Sequence, residues 1–466
     1  MEQPEKKDKM GQTPIHKLML FMGLPMILSM MLQALYNIVD SAFISNMAQG
    51  GEAALNALTL AFPLQMLMVA VSVGTGVGAN ALAARCLGNE DQERASLTAG
   101  NAQFLCLVIY AAFVLFGLFG VRPYIGSQTT NQEIYSMAVD YLTICCLASL
   151  GMIFFASYEK LLQATGHSVH STIAQVAGAL TNIILDPIMI YGLLGCPELG
   201  VKGAAYATVI GQWVSGLLGL LFHLKVNKGL SLKARYFKPN RAIIKGIYSI
   251  GLPAIIAQAL MSVMTYGLNI ILVAVGEPLV TAYGLYYKIQ QFILFAAFGL
   301  RDAITPIVAF ANGMANKPRI RDGIKFGQLY TFIIMLAGTV AVELLAAPFS
   351  RIFGLNGETQ ALCISAMRII SLSFVFAGFN VAMQGVFQAL DGGMESLVIS
   401  LCRQIIFVLP VAWLFAQLAL RAQVSPGMIW LTFLLAEAAT AAISTALMVR
   451  VGKKAGLLPG RAAKAE

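Results

Sequence analysis

Apolar residues run in long blocks along almost the whole chain, separated by short polar breaks. A bilayer core of about 30 Å takes ~20 apolar residues of helix. Twelve blocks meet that length, at roughly 17–46, 53–84, 98–120, 135–164, 169–195, 203–226, 244–274, 280–311, 324–353, 360–389, 394–419 and 425–450. Many of them exceed the minimum, which predicts tilted or bent helices that project past the hydrocarbon. The apolar runs are continuous, not alternating over about ten residues, so a transmembrane β-barrel is excluded. The expected class is an all-α polytopic membrane protein.

Composition agrees: 58% of residues are hydrophobic and 11% are charged, against roughly 25% charged in a soluble domain. The basic N-terminus precedes an apolar run as a signal peptide would. That run is too long and lacks a small-residue cleavage site, so it is expected to stay as the first membrane helix. The seven cysteines are scattered without metal-ligand spacing and read as small hydrophobes.

The charges sort by side. Of the 31 Lys and Arg, 23 fall near the termini or the even-numbered loops, and only Arg122, Lys202, Arg351 and Arg421 lie on the other side. The positive-inside rule then places both termini in the cytoplasm. The net charge of +9 is a topology signal that needs no nucleic-acid partner.

The longest polar break, "KVNKGLSLKARYFKPNR" at 225–241, divides the chain nearly in half. It predicts an N-terminal tail at 1–16, a first lobe at 17–226, a linker at 227–243, a second lobe at 244–450 and a C-terminal tail at 451–466. The halves echo each other: "GLPMI" at 23–27 returns as "GLPAI" at 251–255, Gln65 matches Gln290, and Gly74 matches Gly299. Six helices per half make the repeat parallel, about an axis along the membrane normal. Twelve helices in two pseudo-symmetric six-helix bundles around a central cleft follow from it.

Ionisable groups at bilayer depth cost a few kcal/mol and usually face a bundle interior or cavity. Asp40 in the first helix and Asp186 in the fifth are the clearest cases. Both helices run outward, and at about 1.5 Å per residue both aspartates fall in the outer half of the membrane. Gln33, Asn37 and Asp40 form one polar stripe, and Gln175, Thr181 or Asn182, and Asp186 form another. Two close carboxyls in low dielectric do not both ionise cheaply, so one keeps a proton or a monovalent cation neutralises them. An amide oxygen such as that of Asn182 is a hard ligand that suits the cation option.

The matching positions of the second half are not acidic. That half offers amides and tyrosines, including Gln258, Tyr266, Tyr287, Gln290, Asn380 and Gln384. With Gln33, Tyr36 and Asn37 of the first helix, these are the candidates for binding an amphipathic substrate. Arg301, Asp302, Glu343, Arg403 and Glu437 complete the intramembrane charges, and Arg403 needs an acid. Pro25, Pro63, Pro187 and Pro253, with Gly74, Gly76 and Gly78, mark places where helices could flex.

The stretches "GLPMILSMMLQALYNIVDSAFIS", "LGNEDQERA", "TNIILDPIMIYGLLGCPELGVKGAAYATVIGQ" and "PIVAFANGMANKPRIRDG" resemble the multidrug and toxic compound extrusion family, nearest its bacterial DinF-like branch. The resemblance covers nearly the whole chain. It implies alternating access and export of cationic or amphipathic compounds against inward flow of sodium ions or protons. It also implies a cation site at Asp40, Asn182 and Asp186, with Thr208 joining through "GAAYAT". An acid that some branches carry on the seventh helix is absent, and Gln258 stands nearest to it.

An enzyme is not expected. HExxH, GxSxG, paired-histidine and nucleotide-binding motifs are missing, so no catalytic residue and no cofactor is assigned beyond the coupling ion. The rival transporter reading is a flippase for a lipid-linked sugar, which would line the cleft with free cations. Few basic groups besides Lys288, Arg301 and Arg403 stand at depth for that purpose.

Overall fold

The computed structural model describes residues 9–45, 47, 51–352 and 357–457. The side chains of Tyr36, Asn37 and Lys288, and most of both tails, lie outside the described residues. Among the described residues, ten helices are long and apolar enough to cross a membrane, and two further helix pairs, each bent by 49°, bring the number to twelve.

We number these α1 (Ile15–Ser45), α2 (Gly51–Gly88), α3 (Gln92–Gly126), α4 (the bent pair Gln132–Leu147 and Leu150–Ala164), α5 (Ser168–Tyr191), α6 (Val201–Val226), α7 (Arg241–Val275), α8 (Glu277–Gly313), α9 (Lys317–Ile352), α10 (the bent pair Gly357–Ser371 and Phe374–Ala389), α11 (Gly393–Leu420) and α12 (Pro426–Lys454). Prolines 25, 63, 187, 253, 306 and 348 sit inside helices, as a membrane helix tolerates where neighbours satisfy the freed carbonyl. Outward positions are apolar, with Phe119, Leu344 and Leu24 all exposed, while polar groups such as Asp186, Asn101 and Asn380 are buried. Lipid-facing surface explains the inversion.

The chain folds as two compact units. One spans Leu28–Ile255; the other holds Ile256 onward together with the chain up to Ile27. This division is displaced from the one expected at the 227–243 linker. In both halves it falls directly after the repeated GLPxI motif, so the start of α1 packs with α8 and α9, and the start of α7 packs with α2.

Close approach of backbones explains the displacement. A Cβ on Gly299 of α8 would lie 2.7 Å from the Cα of Ile27, and one on Gly23 would lie 2.6 Å from Leu300. Arg319 of α9 donates to the carbonyls of Met10 and, at 2.9 Å, Thr13. In the other unit a Cβ on Gly78 would lie 2.0 Å from the carbonyl oxygen of Ile247, and one on Gly251 would lie 2.8 Å from that of Gly74. Gly74, Gly76 and Gly78, expected as points of flexure, are contact surfaces here: Gly76 faces Lys160 and Ala156 of α4.

Candidate coupling site

Helices α1 and α5 run parallel and in register within the Leu28–Ile255 unit. The Ser29 hydroxyl donates to Gln175, whose amide donates in turn to Gln33 Oε1 at 3.3 Å. Eleven residues further along each helix from Ser29 and Gln175 stand Asp40 and Asp186, and their carboxyls are within hydrogen-bond reach of one another. Tyr191 Oη closes the far end by donating to the carbonyl of Phe43 at 2.6 Å.

Helix α6 supplies the third wall, and small residues let it come close. A Cβ on Gly178 of α5 would lie 1.8 Å from Ser215 Oγ and 2.4 Å from the carbonyl oxygen of Gly211. A Cβ on Gly203 would lie 2.3 Å from the carbonyl oxygen of Met189. Gly203, Ala207, Gly211, Ser215 and Gly219 recur every four residues, a small-residue stripe that permits backbone contact in a membrane. The contact carries Thr208 to the site: Asn182 Nδ2 donates to Asp186 Oδ1 at 3.2 Å and to Thr208 Oγ1 at 3.5 Å.

Asn182 spends its amide protons on those two acceptors, and its own oxygen receives nothing. Asp40 Oδ1, Asp186 Oδ2 and Asn182 Oδ1 are all buried without a hydrogen-bond donor among the described residues. None of the described ion pairs involves either aspartate. Buried polar atoms are nearly always paired, so the oxygens left without a donor on Asp40, Asp186 and Asn182 are candidates to meet positive charge. Carboxylate and amide oxygens are hard donors suited to an alkali cation or a proton. Among the described residues no cluster of three or more His, Cys, Asp or Glu could hold a metal ion.

The substrate candidates of the other half lie in three kinds of surroundings. Gln258 and Tyr266 are exposed, Tyr287 and Gln290 are half-buried, and Asn380 and Gln384 are inside the unit. Tyr287 stacks near Tyr283, which itself lies parallel to Trp430 and Phe433. Asn380 donates to Glu437 Oε2 at 2.8 Å, and Gln384 donates to Ser400 Oγ at 2.8 Å. The acid that Arg403 requires is Glu437: guanidinium Nε and Nη2 reach its carboxylate at 2.7–2.9 Å from a π-helical turn, Cys402–Ile406, in α11. Arg301 is likewise paired, with Asp302 at 2.9 Å.

Sequence reasoning passed over Glu159 and Lys160: Lys160 is 1% exposed on α4, donating to Gln163 Oε1 at 3.2 Å, while Gln163 donates to Glu159 at 2.9 Å. The signal was the apolar sequence on both sides of "YEK", which leaves that pair no aqueous surface.

Two parallel six-helix repeats, with paired carboxyls buried in one of them, define a membrane transporter and not an enzyme. The model of the family described as MatE matches residues 25–188 and 253–414, and the chain belongs to that family. Each matched segment opens at the proline of a GLPxI motif. The multidrug export protein MepA of Staphylococcus haemolyticus is 26% identical over 408 residues, 87% of this chain and 88% of that protein. MepA of Staphylococcus aureus strain NCTC 8325 is 27% identical over 413 residues, with the same coverage.

Among solved structures, an outward-facing multidrug resistance MATE family transporter of the MOP superfamily superposes with a TM-score of 0.90 at 24% identity, covering 97% of this chain and 99% of that one. At that identity the likeness establishes the fold. A MOP superfamily transporter from Pyrococcus furiosus, described as having a binding pocket of reversed polarity and a different function, superposes at 0.87 with 25% identity, covering 97% and 99%.

Proposed function

We propose that the protein exports cationic or amphipathic small molecules by antiport, coupled to entry of sodium ions or protons at Asp40, Asn182 and Asp186, with Thr208 holding Asn182. The observation that carries this is that Asp40, Asp186 and Asn182 each keep a buried oxygen without a donor among the described residues. The export function of the staphylococcal relatives supports the cargo class. A proton or sodium ion arriving there neutralises the pair and draws α1 against α5, so the site binds better in one arrangement of α1 than in another. That difference is what a coupling site requires, because a ligand of equal affinity for both states shifts neither. Export follows if the cargo favours the opposite arrangement.

On this reading Gln33, Tyr36, Asn37, Gln258, Tyr266, Tyr287, Gln290, Asn380 and Gln384 are the candidates for contact with substrate. The protein acts as a monomer in the bacterial plasma membrane, both termini cytoplasmic as the charge bias indicates, with no cofactor beyond the coupling ion. A flippase for a lipid-linked sugar is less favoured, because Arg301 and Arg403 are each engaged by a carboxylate and neither offers a free cation to a pyrophosphate. The test is efflux of ethidium from proteoliposomes under an imposed sodium gradient or an imposed pH gradient. Acceleration by one of them names the ion; no response to either refutes the antiport.

A further inference from the structure

The segment joining the two repeats reads in sequence as a tether, but the structure builds it onto α3. Asn101, fully buried, accepts from the backbone N–H of Asn240 at 2.8 Å and donates to the carbonyls of Lys238 at 3.3 Å and Tyr236 at 3.4 Å. Its neighbour Gly100 lets the strand lie flat: a Cβ there would sit 2.3 Å from the Tyr236 carbonyl oxygen. Earlier in the segment, the N–H of Ser231 donates to Ser96 Oγ at 3.0 Å, Gln92 donates to the Gly229 carbonyl at 3.4 Å, and Asn227 donates to that of Leu161 at 3.4 Å. Leu230 and Tyr236 are buried.

The rigidity continues into α7. Asn240, whose backbone Asn101 holds, caps that helix by accepting from the N–H groups of Ala242 and Ile243, and α7 then packs on α2 as far as Ile255. Everything from 227 to 255 therefore belongs to one body, and the covalent passage to the other lies inside α7, two residues beyond Pro253.

We propose that residues 227–240 are a fixed strap, clamped by Asn101, that stays docked on α3 throughout transport, so that the change of conformation is taken up in α7 beyond Pro253 and not in the linker. Lifting the strap would leave the buried Asn101 Oδ1 without the Asn240 N–H and its amide with only the Leu97 carbonyl of its own helix, at 2.9 Å, which a cycling tether cannot repeat cheaply.

Hydrogen exchange of the purified full chain, in sodium and in potassium and at acidic and alkaline pH, reads the strap directly. The amides of 229–240 are expected to exchange as slowly as those of α3 in every condition, and Asn101→Leu to speed them by about tenfold while α5 is unaffected. Exchange at the rate of an exposed loop, or no response to Asn101→Leu, overturns the proposal. A disulfide between Ser96→Cys and Ser231→Cys then locks the strap down. Transport at the reduced variant's rate is expected, and loss of transport that reduction restores means the strap must lift. If the parent moves no cargo in that assay, the transport reading fails by itself and exchange alone decides on the strap.

Discussion

Substituting Gly178 by alanine should disconnect the coupling site without touching any of its polar groups. The added methyl would meet Ser215 Oγ at 1.8 Å and the Gly211 carbonyl oxygen at 2.4 Å, whereas ordinary contact begins near 3.4 Å. The serine hydroxyl can rotate away, but the carbonyl belongs to the backbone of α6 and cannot. Relief of the carbonyl clash therefore requires α5 and α6 to separate by about 1 Å, at an overpacking cost of about 1–3 kcal/mol. The Asn182–Thr208 hydrogen bond, at 3.5 Å, is already at the limit of such a bond, and a further ångström breaks it. We expect Gly178→Ala to lower the midpoint of thermal unfolding measurably and to reduce ion-driven efflux more than tenfold in protein that still elutes as a folded species. Ser215→Gly in the same chain removes the 1.8 Å contact and leaves the 2.4 Å one, so recovery should be partial at best. Full activity and unchanged stability in Gly178→Ala would refute the claim that backbone contact between α5 and α6 sets the site.

Two further outcomes follow from buried charges. Glu437→Ala removes the partner of Arg403 and of Asn380 and should cost about 3–5 kcal/mol, as breaking a buried pair does, read as a fall in the detergent-solubilised unfolding midpoint; a neutral effect would mean the pair is solvated. Lys160→Met removes the ammonium 3.8 Å from Glu159 and should destabilise comparably, whereas Glu159→Gln with Lys160→Met should restore most of the loss; equal destabilisation by the single and double variants in thermal unfolding would contradict that.

The helices and their number were legible because bilayer thickness fixes a length that apolar runs either meet or fail. Asp40 and Asp186 stood out in the sequence for a related reason: a carboxyl surrounded by apolar sequence must be satisfied from within the bundle. The division into units was not. The linker looks like a boundary because it is polar and long, but polarity does not reveal that Asn101 and Gly100 on a distant helix hold it down. The repeated GLPxI motif did mark the true crossing points, at Ile27 and Ile255, without saying so, since Gly23 and Gly251 are conspicuous only once their packing partners are seen. Asn380 and Gln384 are an analogous case: an amide stripe on a helix looks the same from sequence whether it faces a ligand or Ser400 and Glu437.

The central claim is that the carboxyl pair couples an ion gradient to export, and the most direct measurement is gradient-driven ethidium efflux in proteoliposomes bearing Asp40→Asn or Asp186→Asn beside the parent. Both changes keep the side-chain volume and remove the charge that a sodium ion or proton would neutralise. We predict that each abolishes the response to the gradient that drives the parent, in protein that reconstitutes and unfolds at a midpoint close to the parent's. Intact coupled efflux in either variant would contradict the assignment of that aspartate to the coupling site.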